Sequence, residues 1–252
     1  QTMPQTSNSL KSICILRLSS IGDITHMIPI VKTLQKYSPT TDITWIIGKT
    51  EYSLVKNMED IEFIVIDKKN FIQGIQNLLK LRERKFFDVL LHMQVSLRSN
   101  ILSLLVKAER RIGFDSYNSK NFHQFFITES IKEIPKSHVL NTFFCFLEVL
   151  GIMKREYNRD IGITKKDFKK IDKFDKTLIN RKYVVINPFT SARSFNYREW
   201  DIMNYIPIIK YLYEQYNLVT IITGSSSENQ IIMAERICND TIDVCPIYNF
   251  VG

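Results

Sequence analysis

Short, continuously apolar runs alternate along this chain with longer stretches whose apolar positions recur every three or four residues. Residues 13–18, 43–47, 61–66 and 87–92 read as strands, and 111–114 as a further short one. Between them, 24–36, 51–57, 71–84, 98–106 and 138–150 read as helices, the last ended by Gly151. Strands apolar on both faces and separated by helices predict a parallel sheet covered on both sides. From Lys154 to Arg181 the periodicity fades into charged stretches, with at most a short helix near 172–178, and this reads as a linker region. A second series then starts: strand 183–187, helix 200–216, strand 218–223, helix 228–238 and a strand near 243–248. The expected division is 11–153, 154–181 and 182–252. About three strands are few for an open α/β domain, so the second domain reads as incomplete.

Composition narrows the class without changing this picture. Apolar residues at 44% and charged residues at 24% are those of a globular protein. No run of uncharged apolar residues is long enough to predict a membrane-spanning helix. The polar segment before Lys11 lacks the basic start and apolar block of a signal peptide. Cys14, Cys145, Cys238 and Cys245 are scattered, and the first two sit in apolar patterns. Neither a disulfide framework nor a zinc site is expected, and a reducing cytoplasm is the simplest setting.

Charge adds more. The net +8 is concentrated early: residues 1–165 hold 23 Lys+Arg against 16 Asp+Glu, whereas 166–252 hold 11 against 10. A basic first half suits a phosphorylated or acidic partner or an anionic membrane surface, and equally the solvated helix faces of a Lys-rich protein. Nucleic acid is not expected, since the cations are dispersed and no binding motif accompanies them.

Ligands of open parallel sheets sit beyond the carboxyl ends of the strands, and three loops there carry candidate chemistry. In "SSIGD", Ser19, Ser20 and Gly22 permit a tight turn and close approach to a ligand. Asp23 falls at the expected N-cap. It has two readings: a cap opposing the helix dipole, or a general base in its carboxylate form. Gly22 is the lone glycine there, so no dinucleotide fingerprint is present. His26 reads as a helix residue, and Pro29 as a point where the helix loses a backbone bond. In "NPFTSARSFNYREW", Thr190, Ser191 and Arg193 with the following helix end suit a diphosphate; the plainer reading is a polar loop with Trp200 anchored in a core. In "TGSSSEN", Gly224 follows a buried strand and Glu228 opens a helix, where a carboxylate can bind ribose hydroxyls.

These stretches, with "FDVLLHMQVSLRSN", "RIGFD" and "SHVLNTFFCFLEVLGI" between them, occur in the order seen in the lipopolysaccharide heptosyltransferases. The chain resembles that family, glycosyltransferase family 9, from about Ile13 to Gly252. The resemblance implies a GT-B arrangement: two Rossmann-like, doubly wound α/β domains facing across a cleft. The first would bind a lipid-linked acceptor and the second an ADP-sugar. It further implies an inverting, metal-independent transfer of heptose from ADP-heptose to the inner core, with no cofactor, at the inner face of the cytoplasmic membrane of a Gram-negative bacterium.

Carried onto this chain, Asp23 takes the place of the base. Thr190 and Ser191 lie near the donor phosphates, Arg193 stands where members often carry Lys, Gly224 lines the donor loop, and Glu228 lies near the ribose. Ser20, Gly22, Lys68, Lys69 and Arg98 are candidate acceptor contacts. A further donor motif of the family, an Asp followed by Ser or Thr, Gly and, two residues on, His, would lie beyond Gly252, so the 252 residues are expected to be part of a longer protein, the alternative being a protein without a complete donor site. Three other readings stay open: a same-fold enzyme for another sugar or acceptor, a non-catalytic nucleotide- or glycolipid-binding protein, and, less favoured, a hydride-transferring Rossmann enzyme.

Overall fold

The computed structural model describes residues 10–120, 122–133, 135–167, 178, 180–190 and 199–252. Contacts divide the chain into two units, one ending at Ile163 and the other starting at Thr164.

The first unit is a six-stranded parallel sheet in the order β3-β2-β1-β4-β5-β6. Its strands are β1 (Ser12–Leu16), β2 (Asp42–Gly48), β3 (Glu62–Ile66), β4 (Phe87–His92), β5 (Ala108–Gly113) and β6 (Glu129–Ser130). Five helices accompany them: α1 (Ile21–Tyr37), α2 (Lys49–Val55), α3 (Phe71–Arg84), α4 (Leu97–Ser103) and α5 (Val139–Val149). Because strand side chains alternate, Ile13 and Ile15 of β1 join one core with α1 and α5, while Cys14 and Leu16 join the opposite core with α3 and α4. That double burial is why the central strands are apolar without a break. Burial also pushes the Cys14 thiol up, as befits a packed core atom rather than a reactive one.

Strand order reverses between β1 and β4, so the crevice at their carboxyl ends is the switch point at which such sheets bind ligands. The helix expected over 98–106 is Leu97–Ser103, the strand expected over 111–114 is Ala108–Gly113, and further details depart from the periodicity. β6, only two residues long, gives too short a pattern to be read in advance. Residues 154–163, grouped by charge with the linker, lie on the first unit. There the Glu156 amide donates to Thr33 Oγ1 at 2.9 Å, its carboxylate pairs with Lys36, and Tyr157 meets Phe144 edge-on at 5.5 Å. Ion pairs and ring contacts hold this stretch, and they leave no apolar period.

The second unit is a three-stranded parallel sheet, β7-β8-β9, formed by Tyr183–Ile186, Val219–Gly224 and Ile247–Val251. α6 (Tyr205–Tyr216) and α7 (Glu228–Asn239) accompany it. Phe189, Ile209, Ile222, Ala234 and Ile237 form its main core, and Val219 and Ile221 pack with Leu178 in a second cluster. The helix expected from 200 begins instead as a 3-10 turn, Ile202–Asn204. Trp200 is not a core anchor: it is half exposed, edge-on to Tyr205 at 5.4 Å. The short helix expected near 172–178 lies outside the described residues except for Leu178.

Candidate active site

α1 begins earlier than its apolar period suggests. Its N-cap is Ser20, and Asp23 is not the cap but the third residue of the helix. Two apolar-poor positions, Gly22 and Asp23, hid this first turn. From there the Asp23 carboxylate reaches back. Its Oδ2 accepts from the Ser20 amide at 3.2 Å and the Ser20 hydroxyl at 3.1 Å, while the Ser20 carbonyl accepts from the Ile24 amide at 2.9 Å. The chain turns at Ser19–Ser20, and Gly22 already lies within the helix, so the tight turn does not depend on it. A Cβ on Gly22 would meet nothing within 4 Å, which leaves the space beside Asp23 open.

Arg17, which the reading of the motif passed over, completes this arrangement. Its Nη2 lies 2.5 Å from Asp23 Oδ2, its Nη1 donates to the Met93 carbonyl at 2.5 Å, and its guanidinium stands over the Phe143 ring at 5.2 Å. Burial draws its pKa below the usual arginine value, and Asp23 opposes that shift. Arg17 Nε is buried without a hydrogen-bond partner among the described residues. The available signal was a charge inside an apolar run, "ILRLSS", which requires a partner once buried.

Asp23 is therefore asymmetric. Three donors fix Oδ2, whereas Oδ1 has no partner among the described residues. The capping reading is corrected to a third-residue carboxylate that accepts from the Ser20 N-cap, and the other oxygen faces no donor among the described residues. Replacing Arg17 by Met should loosen this carboxylate. The expected result is a fall in turnover of about tenfold to a hundredfold with little loss of melting temperature, because removing a buried cation also removes its desolvation cost. Steady-state kinetics and a thermal melt check it together.

β4 supplies the other wall. Gln94, just past its carboxyl end, accepts from the Leu18 amide at 3.0 Å and the Ser19 amide at 3.1 Å, which ties the β1 loop to the β4 loop. At the carboxyl ends of β2 and β3, Lys68 and Lys69 line a depression with Gly48, Lys49 and Ile66. There Lys49 pairs with Asp67 at 2.7 Å, and the Lys69 amide donates to Asp67 Oδ1 at 2.9 Å. Arg98, in the first turn of α4, lies over the Phe71 ring at 5.4 Å. Lys68, Lys69 and Arg98 all follow the carboxyl ends of strands, the edge at which sheets of this kind bind ligands. His26, one turn beyond Asp23, meets His138 edge-on at 5.2 Å, and burial with that neighbour lowers its pKa.

In the second unit, Thr190 follows the carboxyl end of β7. Its amide and hydroxyl donate to Glu199 Oε1 at 2.8 and 3.0 Å. Ser191 and Arg193 lie outside the described residues. Gly224 ends β8, and a Cβ there would stand 2.7 Å from Phe189 Cδ2, so close packing of the β7 loop already requires a glycine. Glu228 is exposed in the first turn of α7, with Ser227 as N-cap. Gln230 joins the two loops: it accepts from the Ser225 amide at 2.7 Å and donates to the Thr190 carbonyl at 3.0 Å. Nothing in the sequence marked Gln230, because its partner lies forty residues away.

Residues 77–250 match the model of glycosyltransferase family 9 (heptosyltransferase). The lipopolysaccharide core heptosyltransferase OpsX of Haemophilus influenzae is 35% identical over 93% of this chain, and the chain spans 66% of that relative's length. Among solved structures, the glycosyl transferase family 9 protein of Veillonella parvula superposes with a TM-score of 0.76 at 18% identity, covering 96% of this chain and 69% of that one. E. coli heptosyltransferase WaaC with ADP gives 0.71 at 16%, covering 95% and 74%. At those identities the two structures bear on the fold.

Proposed function

Because the chain belongs to glycosyltransferase family 9, we propose that it serves an inverting transfer of heptose from ADP-heptose to the anionic, lipid-linked inner core of lipopolysaccharide. The observation that carries this reading is the Asp23 carboxylate at the β1/β4 switch point, anchored through Oδ2 and open at Oδ1. The identity to a lipopolysaccharide core heptosyltransferase supports the choice of sugar and acceptor.

In this mechanism Asp23 Oδ1 takes the proton of an acceptor hydroxyl as that oxygen attacks the anomeric carbon of the donor. The bond from that carbon to the diphosphate oxygen breaks on the opposite face, and its electron pair leaves with ADP. A carboxylate is a weak base toward a free alcohol, but the hydroxyl acidifies as the new bond forms, so concerted transfer is effective. Arg193 and the hydroxyl of Ser191, with that of Thr190 once it turns from Glu199, meet the charge growing on the diphosphate, and Glu228 binds the ribose. Lys68, Lys69 and Arg98 hold the acidic sugars and phosphates of the acceptor, with Ser20 and Gly22 at the attacking hydroxyl. These side chains supply the counter-charge, so no metal is assigned a role. The enzyme works at the inner face of the cytoplasmic membrane of a Gram-negative bacterium, where its acceptor is anchored.

The full reading-frame product, incubated with ADP-heptose and Kdo-bearing lipid A, should add one heptose to the acceptor mass. The gain should be unchanged by a metal chelator. Absence of any gain from a folded protein that still binds the acceptor would assign it to non-catalytic binding instead.

A further inference from the structure

We propose that α4 and the neighbouring 3-10 turn His123–Phe126 form a face that docks on an anionic lipid bilayer. Leu97, Ile101 and Leu104 are spaced four and three residues apart, so they share one side of the α4 stretch, and they are 58%, 53% and 55% exposed. The opposite side, with Ser99, Asn100, Leu102 and Ser103, is buried, so α4 puts three polar residues and only Leu102 inside while Leu97, Ile101 and Leu104 face out. Beside it stand Phe122 and Phe125, 75% and 83% exposed, with ring centroids 6.3 Å apart.

The two elements are fixed to each other. His123 Nδ1 lies 3.2 Å from Asn100 Oδ1 on α4, while Arg111 donates through Nε to the Phe126 carbonyl at 2.9 Å and through Nη2 to the Ser103 carbonyl at 2.7 Å. Phe122 also has φ 60°, a left-handed backbone that a bulky aromatic residue seldom adopts. A strained, solvent-facing ring contributes nothing to the core, which points to a role outside it.

Charge selects the occupant. No Asp or Glu occurs in residues 89–108 or 116–128, the two segments that build the face, whereas Arg98, Lys107 and Lys120 lie within them. Apolar side chains on acid-free segments that carry only cations, bordered by Asp88, Glu109, Asp115 and Glu129, suit the acyl boundary and headgroups of an anionic membrane. A second copy of the chain would set the same cations against one another. The inference rests on the proposed function only for placing the protein near a membrane, since the acceptor there is lipid-linked.

Sedimentation with phosphatidylcholine vesicles, with and without phosphatidylglycerol, tests the face in the absence of donor and acceptor, so a failure of the transferase reading does not affect it. Binding to the phosphatidylglycerol vesicles is expected, weakened by salt. Phe122→Asn combined with Phe125→Ser should reduce it about tenfold or more. The melting temperature should hold or rise, since Asn accepts the left-handed backbone. Failure of the unaltered protein to bind phosphatidylglycerol vesicles would overturn the proposal, as would equal binding by the folded variant. A variant that loses self-association while vesicle binding is unchanged would assign the face to a second copy and overturn it as well.

Discussion

Asp23→Asn should lower the rate of the proposed heptose transfer by about a hundredfold to ten-thousandfold, the usual contribution of a general base. The side chain keeps its size, and its amide oxygen can still accept from Ser20 and Arg17, so the first turn of α1 should persist. The ion pair with Arg17 does not. Arg17 is largely buried, and weakening its partner should cost about 1–2 kcal/mol. The expected combination is therefore a small fall in melting temperature, near-normal ADP-heptose binding and a collapse of turnover. If turnover survives with the fold intact, Asp23 is a support of the Ser20 N-cap and an anchor for Arg17, and the base must be sought elsewhere on the β1/β4 crevice. If the variant fails to fold, Asp23→Glu serves as the second measurement. It preserves the charge but displaces the oxygens, so a base should lose rate while the Arg17 pair survives.

Acid should destabilise the first unit well before its carboxylates are protonated. His92 and His123 are both buried, and their rings share one acceptor, Asn100 Oδ1, at 3.0 and 3.2 Å. His123 Nε2 accepts from the Phe114 amide at 3.2 Å, so its proton sits on Nδ1 and the ring is neutral. Protonating Nε2 would set two donors against each other. Burial draws the His92 pKa down to about 3, with His123 and Arg111 adding to it, and burial draws His123 down to about 4.

Both folded values lie below the unfolded value of 6.5, so the unfolded chain binds more protons between them. The contribution is complete above pH 6.5 and is lost as pH falls toward 4 and then 3. The loss between pH 7 and 4 should be on the order of 3 kcal/mol for each histidine. Urea unfolding across that range measures it. His92→Gln and His123→Gln, which keep an amide near Asn100 but do not titrate, should flatten the slope. An unchanged slope in both would place the acid sensitivity in other groups.

Much of the frame was legible in the sequence because it depends on local periodicity. Unbroken apolar runs at Ile13, Ile43 and Val89 are what a strand buried on both faces requires, and the alternation with amphipathic helices already implied a parallel sheet. The loops after β1, β7 and β8 could be located for the same reason, since a strand that ends and a helix that starts leave a readable gap. Asp23 was visible as a lone acid beside small residues. Its dual role was not, because the donors that fix Oδ2 include Arg17, whose own position depends on Met93 and Phe143.

Long-range pairing decided the rest. Gln94 and Gln230 are unremarkable in a linear reading and become the ties between loops only when β4 lies beside β1 and β8 beside β7. Residues 154–163 look like a charged linker until Glu156 and Tyr157 find Thr33 and Phe144. The exposed side of α4 reads as core-forming by composition, and the tertiary structure turns it outward by burying Asn100 between two histidines. The sequence by itself determined the longer strands and helices and the loops between them, since those follow from neighbours a few residues apart. Only the tertiary structure decided which oxygen of Asp23 is free and which apolar face meets solvent, because a hydrogen bond or a buried charge is defined by partners that chain order does not bring together.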